Sequence, residues 1–211
     1  MKKNKDNNKK KVFPVVIIVA ISSLIAVLAL LIAISLPVIS YMTSKIIVTD
    51  DISLYNDVFG EKTKEEYGNK WMNDKEIFPR KIKNIEEVVD FKMVYYNPWD
   101  AQYLGYLVID YTDDEYNNEI ERLQNVGISK YEGYYGVTGF TKYELVAMKA
   151  DSYNGFVYAI TDKERKEIIY VEIIFCNYFM DLDYNKYINK DYLPDGFDAT
   201  LDNPYAKKHS H

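Results

Sequence analysis

From Val12 to Ser44 the chain carries no charged residue, and its densest part, Val15–Ile39, is 25 residues rich in Ile, Val, Leu and Ala. As a helix those residues would measure about 37 Å, enough to cross the hydrocarbon core of a bilayer with some tilt. A core helix of a soluble domain would break such a run with a polar side. Pro14 sits near the start, where a missing N–H costs little. Pro37 sits near the far end, where a kink or stop is tolerable. Tyr41 suits the membrane interface. The rival reading is a cleaved signal peptide, but the apolar stretch is about twice a usual signal core. No Cys follows it to carry a lipid. The expectation is an uncleaved signal anchor, a single-pass transmembrane helix over residues 12–41.

The charges around this segment fall into two groups. Residues 1–11 hold six Lys and one Asp, a net +5, so the overall charge of −6 leaves −11 for the remainder. Under the positive-inside rule the basic tip is cytoplasmic and the acidic body lies outside the cytoplasm. A body at −11 with three Arg (Arg80, Arg122, Arg165) has no cationic surface for phosphates, so nucleic acid is excluded as a partner. Cys176 is the single cysteine, which excludes an internal disulfide and multi-Cys metal sites; it is expected to be a buried small hydrophobe. The two histidines, His209 and His211, fall in the last three positions, where a frayed tail is expected.

Beyond the apolar run, Thr49–Phe59 predicts a short helix capped by Thr49 or Asp50 and ended by Gly60. Glu61–Lys75 predicts a polar loop, with Trp71 and Ile77–Phe78–Pro79 tucked against a core. Val88–Tyr96 alternates as a strand, and Asn97-Pro98-Trp99-Asp100 supplies a turn. Tyr103–Tyr111 is apolar on both faces and should be a central, doubly covered strand. Thr112-Asp113-Asp114-Glu115 predicts a reciprocal capping box. The helix it opens has Tyr116, Ile120 and Leu123 in one stripe and Gly127 as its stop. Tyr131–Thr141 predicts an irregular loop or weak edge strand. Tyr143–Ala150, Phe156–Thr161 and Ile168–Cys176 predict three further strands, the first two joined by a hairpin turn ending in Asn154-Gly155. The last 35 residues are irregular, with one helical turn near Tyr184–Ile188.

Hairpin-linked strands with one inserted helix mean an α+β fold. The expectation is a mainly antiparallel sheet of about five strands with the Thr112–Asn125 helix across one face. The expected divisions are a cytoplasmic tip (1–11), an anchor (12–41), a helical and loop lead-in (42–87), an α+β domain (88–176) and an acidic, Tyr-rich tail (177–211).

Catalysis is approached by elimination. Ser-His-Asp and Cys-His machinery needs an imidazole, and the body has none. No phosphate loop or dinucleotide fingerprint occurs, and no cofactor is implied. Paired carboxylates survive as an option for a cell-wall glycoside hydrolase. Glu132 and Glu172 are the named pair, with Glu172 expected at a solvent-facing strand position. Asp181, Asp183 and Asn185 match the opening of a calcium loop, but Lys186 and Tyr192 stand where that loop needs Gly and Glu; a looser metal site is the remaining form, against a plain acidic turn. Tyr131, Tyr134, Tyr135 and Phe140, in a Gly-rich loop, suggest a binding surface for glycan or protein. Against that stands an overall composition rich in Lys, Asn, Ile and Tyr, which makes Tyr abundant everywhere.

The layout resembles the single-pass anchored extracytoplasmic proteins of Gram-positive bacteria. The expected function is a non-enzymatic binding or accessory module of the cell envelope, with an envelope protein or glycan as partner. The alternatives are the carboxylate hydrolase and a sensor or regulator acting through another membrane protein.

Overall fold

The structure, a computed structural model, describes residues 3–58 and 76–209. The chain divides into two units, Met1–Ser44 and Lys45–His211. The first is a single helix, α1, Lys3–Thr43. Its stretch Ile17–Thr43 is 27 residues long, is not buried against protein, and is long and apolar enough to cross a membrane. Four of its hydroxyls are satisfied within the helix: Ser22 and Ser23 donate to the Val19 carbonyl, Ser35 to Ile32 and Thr43 to Ile39. Internal pairing of this kind is what a bilayer requires of a spanning segment. Pro37 does not stop the helix, which runs on to Thr43.

The second unit is built on one six-stranded sheet: β1 Ile47–Thr49, β2 Val88–Tyr96, β3 Gln102–Asp110, β4 Glu144–Asp151, β5 Gly155–Asp162 and β6 Glu167–Ile174. The spatial order is β1-β2-β3-β6-β5-β4, antiparallel throughout. Three tight hairpins account for most of it. Helix α3, Asp113–Val126, carries the chain from central β3 to the outer strand β4, and β6 returns to pair with β3, Leu107 opposite Tyr170. The α+β fold is therefore as expected, with one strand more.

That extra strand replaces the start of the predicted Thr49–Phe59 helix. Thr49 ends β1, and Asp51 caps a 3-10 turn at Ile52–Leu54 by accepting from the Ser53 amide at 3.0 Å. A short helix α2, Tyr55–Val58, follows. Phe59, Gly60, the Glu61–Lys75 loop and Trp71 lie outside the described residues. The capping box also differs: Thr112 occupies the N-cap, but its hydroxyl donates to the Glu115 carboxylate at 2.8 Å instead of accepting from a backbone amide. The Tyr116–Ile120–Leu123 stripe packs on the sheet as read, and Gly127 ends the helix at φ +80°.

The sheet is covered on both faces. One face presents Phe91, Met93, Leu107, Ile109, Val157, Ile168 and Tyr170 to α3 and to Tyr55, Ile77, Phe78 and Ile82. The other presents Leu104, Tyr106, Val108, Tyr158, Ile160, Ile169, Val171 and Ile173, and its cover comes from the C-terminal residues. Met180, Leu182, Tyr184, Ile188, Leu193 and Ala199 are all buried there. The segment read as an acidic tail is thus a structural layer of the same unit. Its exposed Asp and Lys residues alternate with inward Leu and Tyr, which hid the pattern in its composition. The last turn, α4 (Pro204–His209), stacks His209 on Tyr205 at 4.2 Å, so His209 is not frayed. Cys176 falls beyond β6 and is only half-buried.

Two outcomes follow from this packing. Removing residues 177–211 strips one face of the sheet of side chains worth roughly 1.5–3 kcal/mol each, so the truncated chain will show no cooperative thermal transition by circular dichroism, where the full chain does. Gly155 holds φ +112° at the β4–β5 turn, and a Cβ there would collide with the Ile173 carbonyl. Gly155→Ala will therefore lower stability by about 2 kcal/mol or more in denaturant titration, well beyond an ordinary surface change.

Candidate functional site

The Tyr–Gly loop was the first candidate. Residues Tyr134–Gly136 form a 3-10 turn in which Tyr135 adopts φ 52° and is fully buried. Its ring meets Phe156 at 5.8 Å, Phe175 at 5.1 Å and Tyr205 at 5.1 Å, and its hydroxyl donates to the Ser152 carbonyl. Tyr135 is therefore a hub of the aromatic core and no ligand can reach it. Tyr131, Tyr134 and Phe140 are half-buried around it, Tyr134 against Tyr205 at 5.6 Å and Phe140 against Tyr158 at 5.3 Å. The loop is stitched to the C-terminal layer by Thr138 N to Asp195 O and Asp195 N to Gly139 O, both 2.8 Å. Gly-rich composition here permits close approach of backbones, with Gly136 against Gly196.

The acidic candidates separate. Glu172 is fully buried, not solvent-facing, because β6 is covered on both sides; it stands opposite Gly105 of β3 and Val157 of β5. Glu132 is exposed on the loop that covers the other face. Two carboxylates on opposite sides of a sheet cannot flank one glycosidic bond. Asp181, Asp183 and Asn185 are exposed, alternating with buried Leu182 and Tyr184. Asp181 accepts from the Gln102 side chain, which in turn accepts from the Asp181 amide at 2.9 Å. Asp183 heads the 3-10 turn Tyr184–Lys186. Among the described residues no three His, Cys, Asp or Glu side chains gather as a metal site would need.

The site with most built-in polar structure was not read from the sequence. Arg122 of α3 donates to both oxygens of Glu119, at 2.8 and 2.6 Å, and to the carbonyls of Glu76 and, at 2.7 Å, Ile77. The Tyr170 hydroxyl donates to the same carboxylate at 2.6 Å, and Tyr111 lies 2.8 Å from Tyr170. Burial pushes the Tyr170 and Tyr111 hydroxyls upward, and the Glu119 charge pushes the same way. Burial alone would lower Arg122, but the Glu119 hydrogen bond and charge leave it above its ordinary value. The two hydroxyls and the guanidinium all keep their protons near neutral pH, and the network fastens the lead-in to α3 and β6. The available signal was Arg122 itself, one of three arginines, with Glu119 one turn before it on a capped helix.

Beside this clasp lies a groove of about 270 Å³, between Pro79–Asn84, the end of β3 and α3. Lys81, Lys83 and Glu87 line it from the lead-in side, Glu115, Asn118, Glu119 and Arg122 from α3, and Ile109 and Tyr111 from the end of β3. Charges of both signs set around a more apolar than polar lining suit a ligand of mixed character such as a peptide. No protein family, curated protein or solved structure matches this chain.

Two measurements check this account. Tyr55, Tyr158 and Tyr170 are buried and their hydroxyls raised well above 10, chiefly by burial. A raised folded value stabilises the fold fully below the unfolded value near 10 and that stabilisation is lost as pH rises above it. Denaturation midpoints will therefore fall steeply above about pH 10, and Tyr170→Phe will make that fall shallower. Arg122→Leu removes the guanidinium's hydrogen bonds to Glu119 and to the Glu76 and Ile77 carbonyls, and will destabilise the fold by about 2–3 kcal/mol in denaturant titration.

Proposed function

We propose that the protein is a single-pass membrane-anchored module with a cytoplasmic N-terminus, whose Lys45–His211 unit works outside the cytoplasm by binding an envelope protein or glycan. The observation that carries this reading is the junction of an apolar, unburied helix with a compact acidic unit, behind a tip of charge +5. A cleaved signal would serve export equally, but the 27-residue segment exceeds what a signal core needs. Binding is favoured over catalysis because Glu132 and Glu172 do not face one another, and because the Glu119, Arg122, Tyr170 and Tyr111 side chains are bonded to one another and to the lead-in backbone. The groove beside Lys83 and Asn118 is the proposed contact, shaped for a polar chain rather than a reaction centre.

Orientation is read by cysteine labelling in intact cells in a Cys176→Ala background. Glu132→Cys will react with a membrane-impermeant maleimide, and Lys5→Cys only after permeabilisation; the reverse pattern overturns the topology. A photo-crosslinking residue at Lys83 in the full chain will capture one recurrent envelope species, and Asn118→Trp, which fills the groove, will abolish that capture. Capture unaffected by Asn118→Trp removes the groove as the contact.

A further inference from the structure

Three loops meet at one end of the sheet: residues 97–101 between β2 and β3, 152–154 between β4 and β5, and 175–179 after β6. The register places them together, Tyr96 opposite Gln102, Asp151 opposite Gly155, and both Tyr103 and Gly155 opposite Ile174. They are locked to one another. The Tyr153 hydroxyl donates to the Asn177 side-chain oxygen at 3.1 Å, and the Asn177 amide donates to Asp100 at 2.8 Å. The Tyr153 and Tyr178 rings meet edge to face at 5.3 Å. Asn177 and Tyr178 both take left-handed backbone, φ 59° and 69°. A bulky Tyr in that region is strained, and such strain is held only where surroundings over-determine it.

What this lock presents to solvent is aromatic: Trp99 is 52% exposed, Tyr153 43% and Tyr178 37%. Most other described rings of the unit are buried or half-buried, so three displayed at one end form a distinct surface. Its carboxylates are engaged, Asp100 by Asn177 and Asp151 by the amides of Tyr153 and Asn154. The chain also enters the unit here, since Ile47 of β1 pairs with Tyr95 near the end of β2, two residues after Lys45. Residues 44–46 separate Thr43 of α1 from Ile47, a span of at most about 14 Å for any arrangement of the two units. The linker thus holds Ile47 within that reach of the end of α1, and at a bilayer surface Trp and Tyr rings partition to headgroup depth.

We infer that the Trp99–Tyr153–Tyr178 end of the sheet is a lipid-headgroup contact surface. The inference rests on reading α1 as a membrane anchor. The groove lies by Ile109 and Tyr111, at the opposite end of β3 from this surface.

The test uses the full chain reconstituted in phosphatidylcholine–phosphatidylglycerol vesicles whose acyl chains are brominated close to the carbonyl. Trp71→Phe leaves Trp99 as the only tryptophan. Its emission will be quenched about twofold or more relative to unbrominated vesicles, as expected of a ring at headgroup depth. A companion chain, Trp71→Phe and Trp99→Phe with Tyr41→Trp, reports the end of α1. Quenching at position 41 with none at Trp99 overturns the contact while the anchor stands. Absence of quenching at position 41 overturns the anchor, and the inference with it. An unquenched Trp99 that instead responds to soluble wall-glycan fragments assigns the surface to saccharide.

Discussion

Strand β6 has no exposed side. Every residue from Glu167 to Ile174 is buried, with β3 paired along one edge and β5 along the other. Such a strand is stable only if both faces of the sheet are kept dry, because its apolar side chains point both ways. Two covering layers follow from that single requirement. Helix α3 with Ile77, Phe78 and Ile82 supplies one, and the residues from Met180 to Ala199 supply the other. The same requirement explains why a carboxylate, Glu172, sits in the interior: the alternating side of β6 that carries Tyr170 and Ile174 has no solvent to offer it.

The second cover is irregular, and tyrosine makes that possible. An irregular layer leaves backbone carbonyls that no ladder satisfies, and a buried carbonyl without a donor is costly. Here the core rings bring donors with them. Tyr158 donates to the Tyr192 carbonyl at 2.7 Å, Tyr135 to Ser152, and on the other face Tyr55 donates to Pro79 at 2.6 Å. Burial and its Tyr143 neighbour push the Tyr192 hydroxyl up to about 12, so it too stays neutral at any physiological pH. The abundance of Tyr, at 21 residues, thus serves packing more than recognition. Among the described residues of this unit, the rings that stay exposed are Trp99, Tyr153 and Tyr178.

Much of the fold was legible because it is local. The alternation of β2, the apolar run of β3 and the hairpin chemistry of Asp151–Gly155 each depend on residues close in sequence, and they fall within a residue of the observed elements. The candidate site was less legible. Arg122, Glu119, Tyr170 and the carbonyls of Glu76 and Ile77 come from three separate segments, and no spacing announces their meeting. Tyr135 misled for the complementary reason: a Tyr beside two glycines looks like an exposed loop until the C-terminal layer closes over it.

The amino-acid order alone determined the apolar helix, the split between a +5 tip and a −11 body, the principal strands and the α3 stripe, since hydropathy, charge and turn chemistry act over a few residues. Tertiary structure alone decided that residues 177–209 are a layer of the core, that Glu172 and Tyr135 are interior, and that the Arg122 clasp exists. Burial depends on what arrives from elsewhere in the chain, and only the folded sheet, needing cover on two faces, sets what must arrive.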